Sequence, residues 1–273
     1  MSKKRKVDAW LSQEQLIKHT KIYHIIDLIE QFIIDPKFSF IGATTIPLLP
    51  ETNIEDVLKY KHPIDYLLAN EPELGEQIIT KQIIHGMLID FCYFLQESIS
   101  SAKRGRVVVA YSLLRRPLVY NFIILLRILY DENFFTRFIS DSSYDPTVYK
   151  KEELKKMLDK FDQSKIISTI NGDAIYDIVF NVDNPQSIIN LSNRAIHPTT
   201  TRKRNQTGEM NFNFIFAIQE DIKRLLDVFY NSLLPILMCY FELFNIIIIQ
   251  FANRNNIEEL INDQYKKLLN CIS

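Results

Sequence analysis

Apolar side chains recur at intervals of three and four residues along most of this chain. Ile22, Ile25, Ile26, Ile29, Phe32 and Ile33 form the first such stripe, the spacing of one face of an α-helix. It predicts an amphipathic helix over about 11–35 that ends before Pro36, because a residue that precedes proline is pushed out of the helical region. Residues 36–53 hold Pro36, Gly42, Pro47 and Pro50 and no stripe, which predicts a long irregular connection, then a short helix near 54–61. Beyond the Pro72–Gly75 boundary, Ile78, Ile79, Ile83, Met87, Phe91, Phe94 and Leu95 carry a second helix to about Ser101, and Gly105 parts it from a third. That third, over about 107–140, opens on β-branched Val107, Val108 and Val109. Leu113, Leu114, Leu118, Phe122, Leu125, Leu126 and Leu129 nevertheless give it helical spacing, with a kink or restart expected at Pro117.

The pattern then breaks. Between Ser140 and Gly208 the chain is polar and divided by Pro146, Gly172, Pro185 and Pro198, with short helices expected over 151–161, 173–180 and 185–193. From Asn211 to about Asn253 a long apolar stripe returns, with a bend expected at Pro235, and a last helix is expected over 257–269. No internal repeat and no linker between separate cores is visible. The expectation is therefore an all-α fold, one helical bundle over 11–273 with a long apolar C-terminal helix, behind a basic tail at 1–10. Leu233–Ala252 has the length of a membrane span and Glu242 as its one charge. Pro235, Glu242, Asn245 and Gln250 interrupt it and no second such run stands out, so a core or dimer-interface helix is favoured over an anchor.

Composition narrows the function. Thirty-two Lys and Arg against 33 Asp and Glu give a net charge of −1, so affinity for nucleic acid or anionic lipid must come from a local patch. Cys92, Cys239 and Cys271 have no close pair, which argues for a reducing, cytoplasmic setting and against a disulfide framework or a cysteine zinc site. The Lys3, Lys4, Arg5 and Lys6 run is read as a solvated tail rather than a targeting element, and no export signal follows it. Phosphate loops, His-Glu-x-x-His pairs, nucleophile elbows and EF-hand loops do not occur in the sequence. His19, His24, His62 and His85 read as structural or solvated.

His197 stands apart. It lies in Ser192-Asn193-Arg194-Ala195-Ile196-His197-Pro198, followed by Thr199, Thr200, Thr201, Arg202, Lys203 and Arg204, a basic, hydroxyl-rich run without an acid. Arg194 and His197 are three apart and would share a face if the helix reached Pro198. A histidine that titrates near neutrality can move the proton of an attacking hydroxyl, while a guanidinium offsets the charge that develops on phosphorus. Such a site needs no metal or cofactor. The competing account is a helix C-terminus, where His, basic residues and a following proline complement the helix dipole. A second basic group comprises Lys103, Arg104, Arg106, Arg115 and Arg116. On an unbroken helix Arg116, Tyr120 and Arg127 would share one face, with Asp131 as the natural partner of Arg127; Arg115 and Arg116 have no local acid and would pair at a distance or join Arg194 and His197 around a phosphate.

Asn193 and His197 match the last two positions of Arg-Asn-x-x-x-His, and in these residues the chain resembles the HEPN domains, helical bundles of toxin, abortive-infection and CRISPR-associated ribonucleases. The run Tyr111-Ser112-Leu113-Leu114-Arg115-Arg116-Pro117-Leu118, with Asn121, Asp131, Phe134 and Phe138, is similar to that of bacterial HEPN-like proteins in which an arginine-bearing helix precedes the histidine, and the likeness covers roughly 78–250. The resemblance implies a metal-independent endoribonuclease of a bacterial defence or toxin system. In it the RNA 2′-hydroxyl attacks the adjacent phosphate at a site composed by two protomers. It implies His197 as general acid or base, Asn193 as the residue that orients it or the phosphate and Arg194 as the transition-state cation, with Arg115, Arg116, Arg202, Lys203 and Arg204 holding RNA. The implied partners are RNA, a second copy of the chain and a regulatory protein. Ser192 occupies the family's arginine position, so a non-catalytic HEPN-like module that binds RNA or protein is the first alternative and a protein tethered to a membrane through 233–252 the second.

Overall fold

Ser12 starts the first helix by reciprocal capping. Its hydroxyl accepts from the Gln15 amide at 3.2 Å while the Gln15 side chain accepts from the Ser12 amide at 2.9 Å. The computed structural model describes residues 10–42, 52–167, 170–201, 206–210, 212–213, 218–251 and 257–272. Helix α1 (Gln13–Ile34) ends before Pro36 as its sequence predicts, and Asp35 caps the following 3₁₀ turn, Pro36–Phe38, by accepting from the Lys37 amide at 2.9 Å. A short α2 (Ser39–Gly42) continues it, so the connection expected to be irregular begins helical; 43–51 lie outside the described residues. After α3 (Ile54–Val57) comes a helix that the apolar pattern did not separate, α4 (Pro63–Asn70). Pro63 presets its first turn, and the Asp65 carboxylate accepts from the His62 amide at 3.2 Å.

Helix α5 (Pro72–Lys103) stops at a Schellman turn. The Gly105 amide bonds the Ala102 carbonyl at 2.8 Å and the Arg106 amide bonds that of Ser101 at 2.9 Å, with Gly105 at φ 71°. The single helix expected over 107–140 is several pieces: α6 (Val107–Arg115), a π-helical turn over Arg116–Asn121, α7 (Phe122–Tyr130) and α8 (Phe134–Ser140). Pro117 causes the widened turn, because its ring removes one N–H and crowds the carbonyl four residues back. The Pro117 carbonyl accepts the Tyr240 hydroxyl. Next come α9 (Lys151–Ser164), α10 (Gly172–Ile175) running into a second π turn, Tyr176–Phe180, and α11 (Ile188–Ile196). Helix α12 (Gln219–Phe251) runs on through Pro235 as one element, and α13 (Ile257–Ile272) follows.

The fold is all-helical, and α12 is its axis. It packs along α1 and also touches α5, α6, α7 and α13. Tyr240 lies at its centre, with ring centroids 4.4 Å from Phe91 of α5 and 4.8 Å from Phe122 of α7. Each large apolar side chain so buried contributes about 1.5–3 kcal/mol. Glu242, fully buried on the same helix, accepts hydrogen bonds from the Tyr265 hydroxyl at 2.6 Å and from the Ile167 and Ile166 amides at 2.7 and 3.3 Å. Glu242 thus has its partners inside the bundle, Asn245 is buried with its side-chain amide on the Phe241 carbonyl at 2.8 Å, and Gln250 is exposed. The expectation that only this segment has the length and apolarity to cross a membrane is too narrow: Pro72–Lys103, Val107–Tyr130 and Gln219–Gln250 all qualify by length and composition. Charged residues dilute the apolar runs of the two earlier helices without lowering their average hydropathy enough to disqualify them.

Candidate functional site

Helix α11 buries one face against α6 and turns another outward. Ile188, Leu191 and Ser192 are buried, Asn193 and Arg194 are half-buried and His197 is exposed. Ser192, in the position where the HEPN pattern has arginine, donates its hydroxyl to the Ile189 carbonyl at 3.2 Å and faces the interior. The helix ends at Ile196, one residue short of what Arg194 and His197 need to share a helical face. His197 is the C-cap, extended at φ −104° and ψ 114°, with its amide on the Asn193 carbonyl at 2.9 Å. Pro198 enforces this, since the residue before a proline avoids helical backbone. The chain that follows folds back: the Asn213 side-chain amide donates to the His197 carbonyl at 2.8 Å and the Asn213 backbone amide to that of Pro198 at 2.7 Å. Arg202, Lys203 and Arg204 lie outside the described residues.

The cation that meets Asn193 comes from another helix. Arg115, the last residue of α6, donates through Nη1 to Asn193 Oδ1 and through Nε to the Tyr120 hydroxyl at 2.6 Å, with its guanidinium carbon 5.2 Å from the Tyr120 ring centroid. The π turn presents Tyr120 five residues after Arg115. Among the described residues no carboxylate pairs with Arg115. A half-buried guanidinium held only by neutral groups keeps its full charge for an incoming anion.

The neighbouring arginines have other places. Arg116 pairs with Asp90 of α5 and sits 5.4 Å over the Phe94 ring, away from Asn193. The π turn breaks the common face expected for Arg116, Tyr120 and Arg127. Arg127 is 2% exposed and bonds Asp131 at 2.9 Å, as expected from their spacing, and Glu153 at 2.8 Å. Arg194 has its ionisation lowered by burial and, secondly, by the like charge of Arg224. Arg224, on α12, contacts Asp221, three residues before it, at 3.5 Å. The adjacent Leu225 carbonyl accepts the Tyr111 hydroxyl at 2.8 Å, which ties this part of α12 to α6 one turn before Arg115.

The remaining histidines take no part. His19 is buried with Nδ1 2.9 Å from the Tyr230 hydroxyl, His24 and His62 are exposed, and half-buried His85 stands against Gly42. No group of three or more His, Cys, Asp or Glu side chains capable of holding a metal ion occurs among the described residues. No protein-family model, no curated protein and no solved structure matches the chain. The likeness to HEPN domains stands on Asn193, His197 and the arginine-bearing α6 run alone.

Proposed function

We propose that the end of α11, with Arg115 beside it, is a phosphodiester site and that the protein is a metal-independent, HEPN-like endoribonuclease. The observation that carries this reading is Arg115: a guanidinium without a carboxylate partner among the described residues, hydrogen-bonded to Asn193, which stands one helical turn before an exposed histidine. In this reading Arg115 takes the place of the cation that Ser192 lacks. His197 accepts the proton of an RNA 2′-hydroxyl as its oxygen bonds to phosphorus. The bond from phosphorus to the 5′-oxygen breaks, and that oxygen takes a proton from solvent, leaving a 2′,3′-cyclic phosphate. Arg115 offsets the charge on the phosphoryl oxygens, and Asn193 fixes Arg115. As the HEPN resemblance implies, the protein then acts in the cytoplasm as a defence or toxin effector.

Cleavage of a mixed RNA pool in EDTA tests it. Wild type is expected to cut, His197→Ala to lose about 10²–10⁴-fold in rate and Arg115→Ala about 10²-fold, with circular dichroism unchanged. Absence of cleavage by folded wild type would sink the nuclease reading. The interior-facing Ser192 favours a second one, a module that binds RNA without cutting it. There Arg115→Ala weakens binding, while His197→Ala leaves it intact.

A further inference from the structure

His197 is anchored through both of its peptide groups. Its amide donates to the Asn193 carbonyl at 2.9 Å and its carbonyl accepts the Asn213 side-chain amide at 2.8 Å, so its φ of −104° and ψ of 114° are set from two sides. Asn213 lies 16 residues further along the chain and is 6% exposed, whereas His197 is exposed. The Asn213 backbone amide donates to the Pro198 carbonyl at 2.7 Å and fixes the peptide that follows. We infer that Asn213 is the positioning residue of His197: it holds the backbone from which the imidazole projects and leaves only the side-chain torsions of the histidine free. This rests on the phosphodiester reading and adds to that site the group that aims its base.

A peptide carbonyl only accepts, so the Asn213 side chain turns Nδ2 toward His197 and Oδ1 away from it. Thr207 fixes that orientation. Its hydroxyl accepts from the Thr200 amide at 2.7 Å and gives its proton to Asn213 Oδ1 at 3.1 Å, while its own amide donates to the Thr200 carbonyl at 2.9 Å. Closing the connection from α11 to α12 accounts for the Asn213 backbone bond to Pro198. The side-chain bond reaches one residue further back, to the histidine. Pro198 by itself already keeps His197 out of the helical region, but it leaves the rest of the extended region open to an exposed residue at a helix end. A general base needs a narrower range, since a misplacement of about 1 Å can cost about 10²-fold in rate.

Asn213→Asp separates positioning from loop closure, because a carboxylate still accepts from Thr207 but cannot donate to the His197 carbonyl. Thr207→Val removes the hydroxyl that orients the amide, and Thr207→Ser keeps it. In protein isotopically labelled at histidine nitrogen, the His197 amide is the backbone signal that His197→Ala deletes. Its NMR order parameter is expected to be about 0.85 in wild type and in Thr207→Ser, the value of rigid backbone, and below about 0.6 in Asn213→Asp and Thr207→Val. In RNA cleavage in EDTA the last two variants should lose about tenfold or more in kcat with KM within about twofold, because Arg115 rather than His197 holds the phosphate. An order parameter that is low in wild type, or that stays high in both variants, overturns the positioning role whether or not the protein cuts RNA. Cleavage whose kcat ignores both variants also overturns it and leaves the nuclease reading standing. Order lost in the two variants of a folded protein that does not cut RNA does the reverse: the nuclease reading falls and the hold of Asn213 on His197 stands.

Discussion

In the proposed site the side-chain oxygen of Asn193 holds Arg115 without supplying a counter-charge. An amide carbonyl orients a guanidinium; a carboxylate in the same place orients it and also removes its charge. Asn193→Asp therefore makes a sharp prediction. The new carboxylate forms a half-buried ion pair with Arg115, so the thermal midpoint stays level or rises, while RNA affinity falls about tenfold or more through the lost charge and the added repulsion of phosphate. Thermal melts and anisotropy on the same sample check both halves, and equal affinity in the two proteins would show that Arg115 does not meet the ligand. Gly105 is a purely structural counterpart. At φ 71°, and with an added Cβ meeting the Trp10 ring at 2.7 Å, Gly105→Ala both strains the backbone and displaces the indole. Urea unfolding should show a loss of about 1–3 kcal/mol, with the slope of the transition unchanged.

The π turn at Pro117 sets the geometry of the elements around the site. Tyr120 stands five residues after Arg115, a spacing that the i→i+5 bonds of a π turn bring to one side, and there its hydroxyl meets Nε at 2.6 Å. Pro117→Ala restores the missing N–H and removes the ring that crowds α6, so this stretch is expected to tighten toward a regular helix and carry Tyr120 round by part of a turn. The protein should stay helical by circular dichroism yet bind RNA several-fold more weakly; affinity equal to that of wild type would show that the widened turn does not position Arg115. The same elements show what the sequence discloses. Stripes such as Ile22 to Ile33 predict α1 nearly to the residue, because burial on one face leaves a period. Prolines mark the interruptions but not their form: Pro117 predicts a kink, and the structure has a π turn. Asn193 and His197 were visible as a motif, whereas the hydrogen bond between Arg115 and Asn193 spans 78 residues and leaves no local spacing to read.

For the whole molecule, the buried tyrosines link stability to alkaline pH. Tyr111, Tyr230, Tyr240 and Tyr265 have their pKa pushed above the ordinary phenol value by burial, Tyr265 also by the Glu242 carboxylate it bonds, and burial pushes Tyr149 up to about 12. In the unfolded chain these phenols ionise near pH 10. Below that pH both states keep the protons and stability does not change on their account. Above it the unfolded chain releases protons that the folded protein retains, so unfolding is favoured as pH rises, by up to about 1.4 kcal/mol per pH unit for each tyrosine kept neutral. Cys92, whose thiol is pushed up to about 12 by burial, adds the same effect from the lower pH at which an unfolded thiol ionises, so urea titrations between pH 7 and 11 should show a fall that starts near pH 9 and steepens near pH 10. Tyr265→Phe separates the two contributions of its hydroxyl. At pH 8 it should cost about 1–3 kcal/mol, because buried Glu242 keeps only the Ile166 and Ile167 amides as donors. Above pH 10 the variant should lose stability less steeply than wild type, since one proton fewer is at stake. An unchanged alkaline slope would mean that Tyr265 ionises as readily in the folded protein as in the unfolded chain, and that the bond between α12 and α13 does not hold the bundle together.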